Sequence, residues 1–398
     1  MADDKFVDRR HFESVVSMAA DDLIKGLPFG DAPEAIDKKQ LIKGLFLHLT
    51  TRCNLFCKHC YYLKTPRRPH EDMEFSVIEN LIVGLKRRGL ERVTLSGGEP
   101  LLHPEFSKII RLIHSHDLPL MLLTNGTLEM NECAGLLGPH DLALVSLHGP
   151  DEKSHERQNG LGTYKRVIKN LNLLRDTIPA ENIVINCTMS DWNIDQLEKM
   201  VELATSLGLS HIRFMPLHQI AGNADSGPTL KHQSASVLHW ARTAARRIAN
   251  SRWPIQVGVG FTGLPGYLNQ KTEDWGDNVC GIGKRLTVSA DGALFPCPCL
   301  MDEESLLGDS RDARNLDAVV SSIEKWEKKM HDRRETIPKC RNCPLSGICQ
   351  AGCPALAFQT TGSFQAVDPL CLAVREFSIE YFSRLACQRF EIDDDLYS

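Results

Sequence analysis

Three cysteines, Cys53, Cys57 and Cys60, stand in the spacing C-x3-C-x2-C just after the apolar run Leu45-Phe46-Leu47-His48-Leu49. Spacings this short let three thiolates converge from one loop on a common centre. Thiolates are the usual ligands of iron–sulfur clusters and of zinc, and either centre takes four ligands. This loop supplies three, which leaves one iron of a cubane cluster open to another molecule. A zinc site would need a fourth ligand close by, and His59, squeezed between Cys57 and Cys60, is badly placed to be it. Three merely buried thiols are the remaining reading of this stretch alone.

A second set of cysteines lies in the other half of the chain. Cys280 is followed after eleven residues by Gly292-x4-Cys297, then by Cys340-x2-Cys343-x5-Cys349-x3-Cys353, and finally by Cys371. Ten of the fourteen cysteines thus fall in tight or patterned spacings. In a reducing compartment such residues are metal ligands or catalytic groups rather than disulfides. The other four, Cys133, Cys187, Cys299 and Cys387, read mostly as small buried hydrophobes.

The elements that must position these residues alternate. Strand-like runs at Leu45–Leu49, Arg92–Leu95, Leu118–Leu123, Leu142–Leu147, Ile183–Met189 and His211–Met215 are separated by amphipathic helical stretches. The helices fall near Ser76–Arg88, Pro104–His114, Thr163–Asp176 and Ile194–Leu207, with a shorter one at Asn131–Leu137. Repeated strand–helix units imply a parallel sheet with right-handed crossovers. Six units are fewer than the eight of a closed barrel, so the pattern predicts a partial (β/α)6 barrel, with ligands at the carboxyl ends of its strands. Strand two ends in Ser96-Gly97-Gly98-Glu99-Pro100, strand three in Thr124-Asn125-Gly126-Thr127, and strand four in Ser146-Leu147-His148-Gly149. Paired glycines let backbone approach a ligand closely, and a carboxylate beside them can bind an ammonium group. Alone, the second-strand ending is simply a turn.

Together these motifs resemble the radical S-adenosylmethionine (SAM) enzymes, over roughly residues 43–375. In that family the open iron chelates the amino and carboxylate groups of the SAM methionine. The resemblance implies that Cys53, Cys57 and Cys60 hold that cluster and that Gly97, Gly98 and Glu99 hold the SAM amino group. Thr124, Asn125 and Ser146 would contact ribose or carboxylate, and Arg157 would meet the carboxylate, unless it is an ordinary surface arginine. Many relatives end strand four with Ser-x-Asp-Gly, so His148 is a departure; a histidine there can titrate near neutrality or be a merely structural imidazole. Phe214-Met215-Pro216-Leu217 resembles the segment that packs on adenine.

The later cysteines are similar to the SPASM extension of that family, a small cysteine-rich domain with auxiliary iron–sulfur clusters. Leu307-Gly308-Asp309 followed by Leu316 resembles its linking segment. The family pattern assigns Cys340, Cys343, Cys349 and Cys371 to an outer cluster and Cys280, Cys297 and Cys353 to an inner one. Either Cys299 completes the inner set or one of its irons stays open. The expected cofactors are therefore SAM and three [4Fe–4S] clusters. Expected domains are an N-terminal extension (1–42), a radical SAM partial barrel (43–220), a connector (221–279), a SPASM domain (280–375), and a C-terminal helix with an acidic tail (376–398).

Length, composition and charge set the remaining bounds. The 398 residues allow one large domain and a smaller one. A hydrophobic content of 42% and a charged content of 24% are those of an ordinary globular protein. A net charge of −5 gives no basic footprint for a nucleic-acid partner. No apolar run approaches the roughly 20 residues that span a bilayer, and the N-terminus lacks the apolar segment of a secretory signal. The expectation is a cytoplasmic enzyme with no membrane or nucleic-acid partner.

The family chemistry implied is reductive cleavage of SAM to a 5′-deoxyadenosyl radical, which takes a hydrogen atom from substrate. An electron donor such as flavodoxin or ferredoxin would be needed. The expected outcome is oxidative modification of a ribosomally made peptide, with a small molecule or tetrapyrrole as the alternative substrate. Pro298 stands where sulfatase-maturing relatives carry an acidic residue. A non-enzymatic iron–sulfur electron carrier is the competing class; it accounts for the cysteines but not for the strand-end motifs. No catalytic side chain is assigned.

Overall fold

The computed structural model describes residues 42–62, 71–218, 227–260, 281–311 and 316–390. Expectations for Phe12–Ile24, for Cys280 and for the acidic tail fall outside those residues. The order of elements follows the alternation of the sequence. Strands β1 (Gly44–His48), β2 (Arg92–Ser96), β3 (Leu120–Thr124), β4 (Leu142–Ser146), β5 (Ile183–Met189) and β6 (His211–Pro216) lie side by side, each parallel to the next. Helices α1 (Phe75–Lys86), α2 (Phe106–Ser115), α3 (Asn131–Leu136), α4 (Glu152–Asn159), α5 (Thr163–Arg175) and α6 (Leu197–Ser206) connect them. The α/β fold class with a partial parallel barrel is as expected.

The sheet does not stop at six strands. The presumed connector supplies α7 (Ala235–Ala249) and a seventh parallel strand, β7 (Gln256–Val259), beside β6. The stretch Trp253–Gly266 reads as irregular, and the four-residue run Gln-Val-Gly-Val is too short and too glycine-rich to announce a strand. At the other edge β8 (Arg285–Val288) pairs parallel with β1. It is followed by β9 (Ala293–Phe295) and β10 (Gly308–Asp309), both antiparallel. The first strands of the cysteine-rich half therefore continue the barrel sheet, ten strands in all among the described residues.

Burial explains why this arrangement holds. Along β6, Ile212, Phe214 and Pro216 are buried while His211, Arg213 and Met215 are half-exposed, the period-two alternation of a strand with two different faces. The Phe214 ring meets Trp240 of α7 edge-on at 5.0 Å, so α7 covers the outer face of β6. Each such buried side chain contributes on the order of 1.5–3 kcal/mol. Helix α12 (Cys371–Phe390) packs back along α7, tied by Arg242–Glu376 (2.8 Å) and Arg246–Glu380 (3.0 Å). That docking fixes Cys371, the first residue of α12, relative to the barrel.

Candidate active site

The loop carrying Cys53, Cys57 and Cys60 is held from both sides. Leading into it, Thr50 bridges to Asp72, Thr51 N donates to Glu71 O (2.9 Å), and the Arg52 guanidinium clasps the Asp72 carboxylate (2.8 and 3.2 Å). From below, Gly98 N and Glu99 N donate to the carbonyls of Thr50 and Arg52 (2.7 and 2.8 Å). A methyl group on Gly98 would overlap the Arg52 carbonyl. The paired glycines thus let the cysteine loop lie directly on the end of β2; close backbone approach is their use here, as anticipated, but to this loop.

Side chains then lock the loop to neighbouring strand ends. Asn54 Nδ2 donates to Thr127 Oγ1 (2.8 Å), and Asn125 Nδ2 donates to Asn54 Oδ1 (2.9 Å) and to Cys53 Sγ (3.9 Å). On the other flank Lys58 N donates to Gln158 O (2.9 Å), and Asn159 Nδ2 reaches Cys57 Sγ at 3.5 Å. Both of those partners lie at the end of α4, a helix not recognised from sequence. Its signal was there: Asp151 accepts from Ser154 N, and Ser154 reaches back to the cap, a capping box written as Asp-Glu-Lys-Ser.

Do these residues fit an iron–sulfur cluster? Burial pushes the Cys53 thiol up to about 11 and the Cys57 thiol up to about 12, and the neighbouring cysteines of the loop add to the effect. As they stand they are neutral, and among the described residues no three His, Cys, Asp or Glu side chains are drawn into metal geometry. A bound cluster would take them as thiolates. Soft donors on a short loop, with amide N–H groups aimed at two sulfurs, are the chemistry such a cluster uses. The set fits.

Glu99 is tied into the scaffold at the strand ends. It is fully buried, and its carboxylate accepts from Thr124 Oγ1 (2.8 Å), Asn125 N (2.8 Å) and Leu101 N (3.3 Å). Those donors fix the end of β3 and, through Asn125, the cysteine loop. Burial pushes the Glu99 carboxyl up to about 7 against the pull of its donors. The folded chain therefore keeps a proton that the unfolded chain releases near pH 4.5, so this group's contribution to stability is full below that value and lost as pH rises through about 7. Glu99→Gln must turn an amide N–H toward one of these donors and should lose about 1.5–3 kcal/mol. Denaturation midpoints followed from pH 5 to pH 7.5 check this: the gap between wild type and variant should be widest at the acid end. A pH-independent gap would mean Glu99 is ionised throughout.

The other strand-end residues lie around the same mouth. Ser146 closes β4, half-buried. His148 is buried, its Nδ1 accepts from Thr188 N (3.0 Å), and its ring meets His59 of the cysteine loop edge-on at 4.4 Å. Burial and the flanking His59 and His155 hold it well below the usual imidazole range, so it is a neutral Nε2–H donor and does not titrate near pH 7. Arg157 is exposed on α4 and lies over the Trp192 ring at 4.2 Å, with Lys58 at 5.5 Å from that ring. In the Phe214–Leu217 segment Phe214 faces α7, which leaves Met215 on the opposite face of β6.

The second-half cysteines separate into two neighbourhoods. Cys340 lies on α9 (Pro338–Arg341), Cys349 on α10 (Ser346–Cys349), Cys343 between them, and Cys371 at the head of α12. Burial, then Asp368, Cys371, Cys340 and Cys343, pushes the Cys349 thiol up to about 12, so these four cysteines lie in one neighbourhood. Cys353 instead caps α11 (Pro354–Thr361) and packs with Cys297 and Cys299 against Ile282, Leu300 and Phe364. Three consecutive left-handed residues, Gln350, Ala351 and Gly352, turn the chain between Cys349 and Cys353. For the first two that conformation is unfavourable, and it aims neighbouring cysteines at different centres.

Two buried charges, without motif, support this region. Arg333, on α8 (Leu316–Thr336), is 1% exposed and donates to the carbonyls of Phe364 (2.6 Å), Ala366 (3.0 Å) and Gly352 (3.2 Å). Asp368 accepts from Cys353 N (2.6 Å) and Leu370 N (2.7 Å). Tyr61 joins the two halves: burial raises its hydroxyl pKa, with Cys299, Cys60 and Cys297 adding to the effect.

Comparison with known proteins agrees with this arrangement. Residues 47–204 match the profile of the radical SAM superfamily. The chain is 27% identical over 346 residues to the AdoMet-dependent heme synthase of Methanosarcina barkeri, covering 81% of this chain and 94% of that protein. It is 24% identical over 332 residues to the mycofactocin maturase MftC of Mycolicibacterium smegmatis, covering 81% of each. Among solved structures, anSMEcpe with bound AdoMet superposes with a TM-score of 0.70 at 19% identity, over 88% of this chain and 100% of that one. Streptococcus suis SuiB bound to S-adenosylmethionine gives 0.65 at 15% identity, over 89% and 86%. The cysteine loop and the β2 and β3 ends that hold it fall within the one segment, residues 47–204, that matches the radical SAM superfamily.

Proposed function

We propose that this enzyme uses SAM and a reduced cluster to oxidise a ribosomally made peptide. The observation that carries the radical chemistry is the convergence of the Cys53–Cys60 loop with the ends of β2 and β3, through hydrogen bonds from Gly98, Glu99 and Asn125. Cys53, Cys57 and Cys60 would hold the cluster, with Asn125 and Asn159 donating to two sulfurs. Gly97, Gly98, Thr124, Asn125, Ser146 and Arg157 would line the SAM site, with Glu99 holding Thr124 and Asn125 in place. When bound, the cluster and SAM supply an electron and a carbon-centred radical that removes hydrogen from substrate. The protein's share is to position both and to exclude water; buried Leu49, Leu147 and Tyr62 close the floor.

An outer cluster on Cys340, Cys343, Cys349 and Cys371 and an inner one on Cys280, Cys297 and Cys353 would bring the total to three. Flavodoxin or ferredoxin would supply the electron. Among the described residues no helix is long and apolar enough to cross a membrane. The peptide reading is supported by the mycofactocin maturase and by the "PqqA peptide cyclase" of Ruegeria pomeroyi, 25% identical over 358 residues. A tetrapyrrole substrate is the second reading, favoured by the similarity to the heme synthase.

Anaerobically reconstituted, reduced protein should convert SAM to 5′-deoxyadenosine, with turnover rising when a cognate precursor peptide is added. A porphyrin that raises turnover while candidate peptides do not would decide for the second reading. Absence of 5′-deoxyadenosine under any reductant would leave an electron carrier.

A further inference from the structure

We propose that Asn159 sets the reduction potential of the cluster on Cys53, Cys57 and Cys60, by donating its Nδ2–H to Cys57 Sγ. This rests on the assignment of those three cysteines to a cluster and goes beyond it, to what decides how readily that cluster takes up an electron.

Asn159 is the last residue of α4, 4% exposed, and its Nδ2 lies 3.5 Å from Cys57 Sγ. A sulfur bound to iron has no hydrogen to give, so the carboxamide must present its nitrogen to it. The helix holds that nitrogen in place. Its first turn is closed by the capping box of Asp151 and Ser154. Gln158, next to Asn159, is fastened twice: its carbonyl accepts from Lys58 N (2.9 Å), and its Nε2 donates to His148 O (3.1 Å). Gly160, with a φ of 105°, then turns the chain out of the helix in a conformation that favours glycine. The donor therefore belongs to the barrel scaffold and not to the cysteine loop.

Two features mark this contact as made for a cluster sulfur. Asn159 Oδ1 is buried and meets no hydrogen-bond partner among the described residues. Burying a carboxamide with its oxygen unmet costs stability, and a neutral thiol, a weak acceptor, returns little of it. The arrangement gains strength when that sulfur carries charge, as a cluster ligand does. The second feature is that the Asn159 amide is given to the sulfur alone. Asn125 reaches Cys53 Sγ at 3.9 Å but also donates to Asn54 Oδ1 and accepts from Thr127 N, so it is tied to the scaffold. Hydrogen bonds to its sulfurs are among the factors that set a cluster's potential. Such a bond is stronger to the reduced, more negative cluster, so losing it lowers the potential.

The test uses the full-length, reconstituted protein and a redox titration followed by electron paramagnetic resonance. The signal to follow is the one absent when Cys53, Cys57 and Cys60 are all replaced by Ala. Asn159→Leu keeps most of the volume and removes the donor. At a fixed poise it should lower the ratio of reduced to oxidised cluster about tenfold, a shift of about 59 mV for one electron. Iron content should match the wild type, and the denaturation midpoint should not fall, because the unmet oxygen goes with the amide. Asn159→Ala should shift the potential in the same direction, which separates loss of the donor from the bulk of leucine. The coupling of one exchangeable proton to this cluster, read by pulsed electron–nuclear double resonance, should be missing from both variants. A potential unchanged in both, or loss of this cluster's iron from both, would overturn the assignment and leave Asn159 a packing residue. No cluster on the three cysteines of the wild type would overturn the underlying reading with it.

Discussion

Replacing Cys53, Cys57 and Cys60 together with Ala is expected to abolish 5′-deoxyadenosine formation and to lower the iron content by about four atoms per chain, one cubane. The remaining iron, about eight atoms in two auxiliary clusters, should stay bound. The two losses are separable because the sites are built from different parts of the chain. The first loop rests on Gly98, Asn54, Asn125 and Asn159, which belong to the barrel. The later described thiols lie just past β9 and on or between α9, α10, α11 and α12. Removing three half-buried thiols should not unfold the loop. Alanine keeps its backbone anchors and the Asn54 bonds to Thr127 and Asn125, and only bonds to sulfur, those of Asn125 and Asn159 among them, are lost. Iron assay and SAM turnover on the same preparation decide the matter. Turnover persisting in the triple variant would move the SAM-cleaving cluster elsewhere.

How much of this was legible beforehand differs between elements for physical reasons. Strands β1 to β6 are largely apolar runs buried in a parallel sheet, with an alternation of faces in β3 and β6, and that signal survives in one dimension. The β7 strand is four residues at a sheet edge, and that β8 pairs with β1 is a fact of three dimensions only. The cysteine motifs were readable because coordination fixes spacing. The three donors that bind Glu99 to the scaffold come from Leu101, Thr124 and Asn125, and no local pattern pairs it with the last two. His148, exposed to suspicion as a neutral-pH switch, is held neutral by burial, which no local pattern could disclose. Asn159 and Gln359 act on groups 102 and 60 residues away.

Arg333 has no signal in the sequence and the second large expected effect. Its guanidinium, 1% exposed, is the donor for three carbonyls on the turn and segment that carry Cys353 and lead to Cys371. Burial raises the Asp368 carboxyl, and its hydrogen bonds and the charge of Arg333 pull the other way. Arg333→Met keeps much of the volume but leaves those carbonyls without donors and Asp368 without its cation. Leaving a buried acceptor without its donor costs about 1–3 kcal/mol, and three such carbonyls stand against a total stability of roughly 5–15 kcal/mol for a domain. The expected result is loss of both auxiliary clusters, with the Cys53–Cys60 cluster retained and a denaturation midpoint that falls. A second change, Asp368→Asn, should recover part of the loss, because the stranded charge goes with it. The recovery separates charge from packing: if the double variant is no better than the single one, Arg333 acts through its three carbonyls alone. Iron and midpoint unchanged in Arg333→Met would show that α8 merely covers the cysteine sites and that the Cys349–Cys353 turn holds itself.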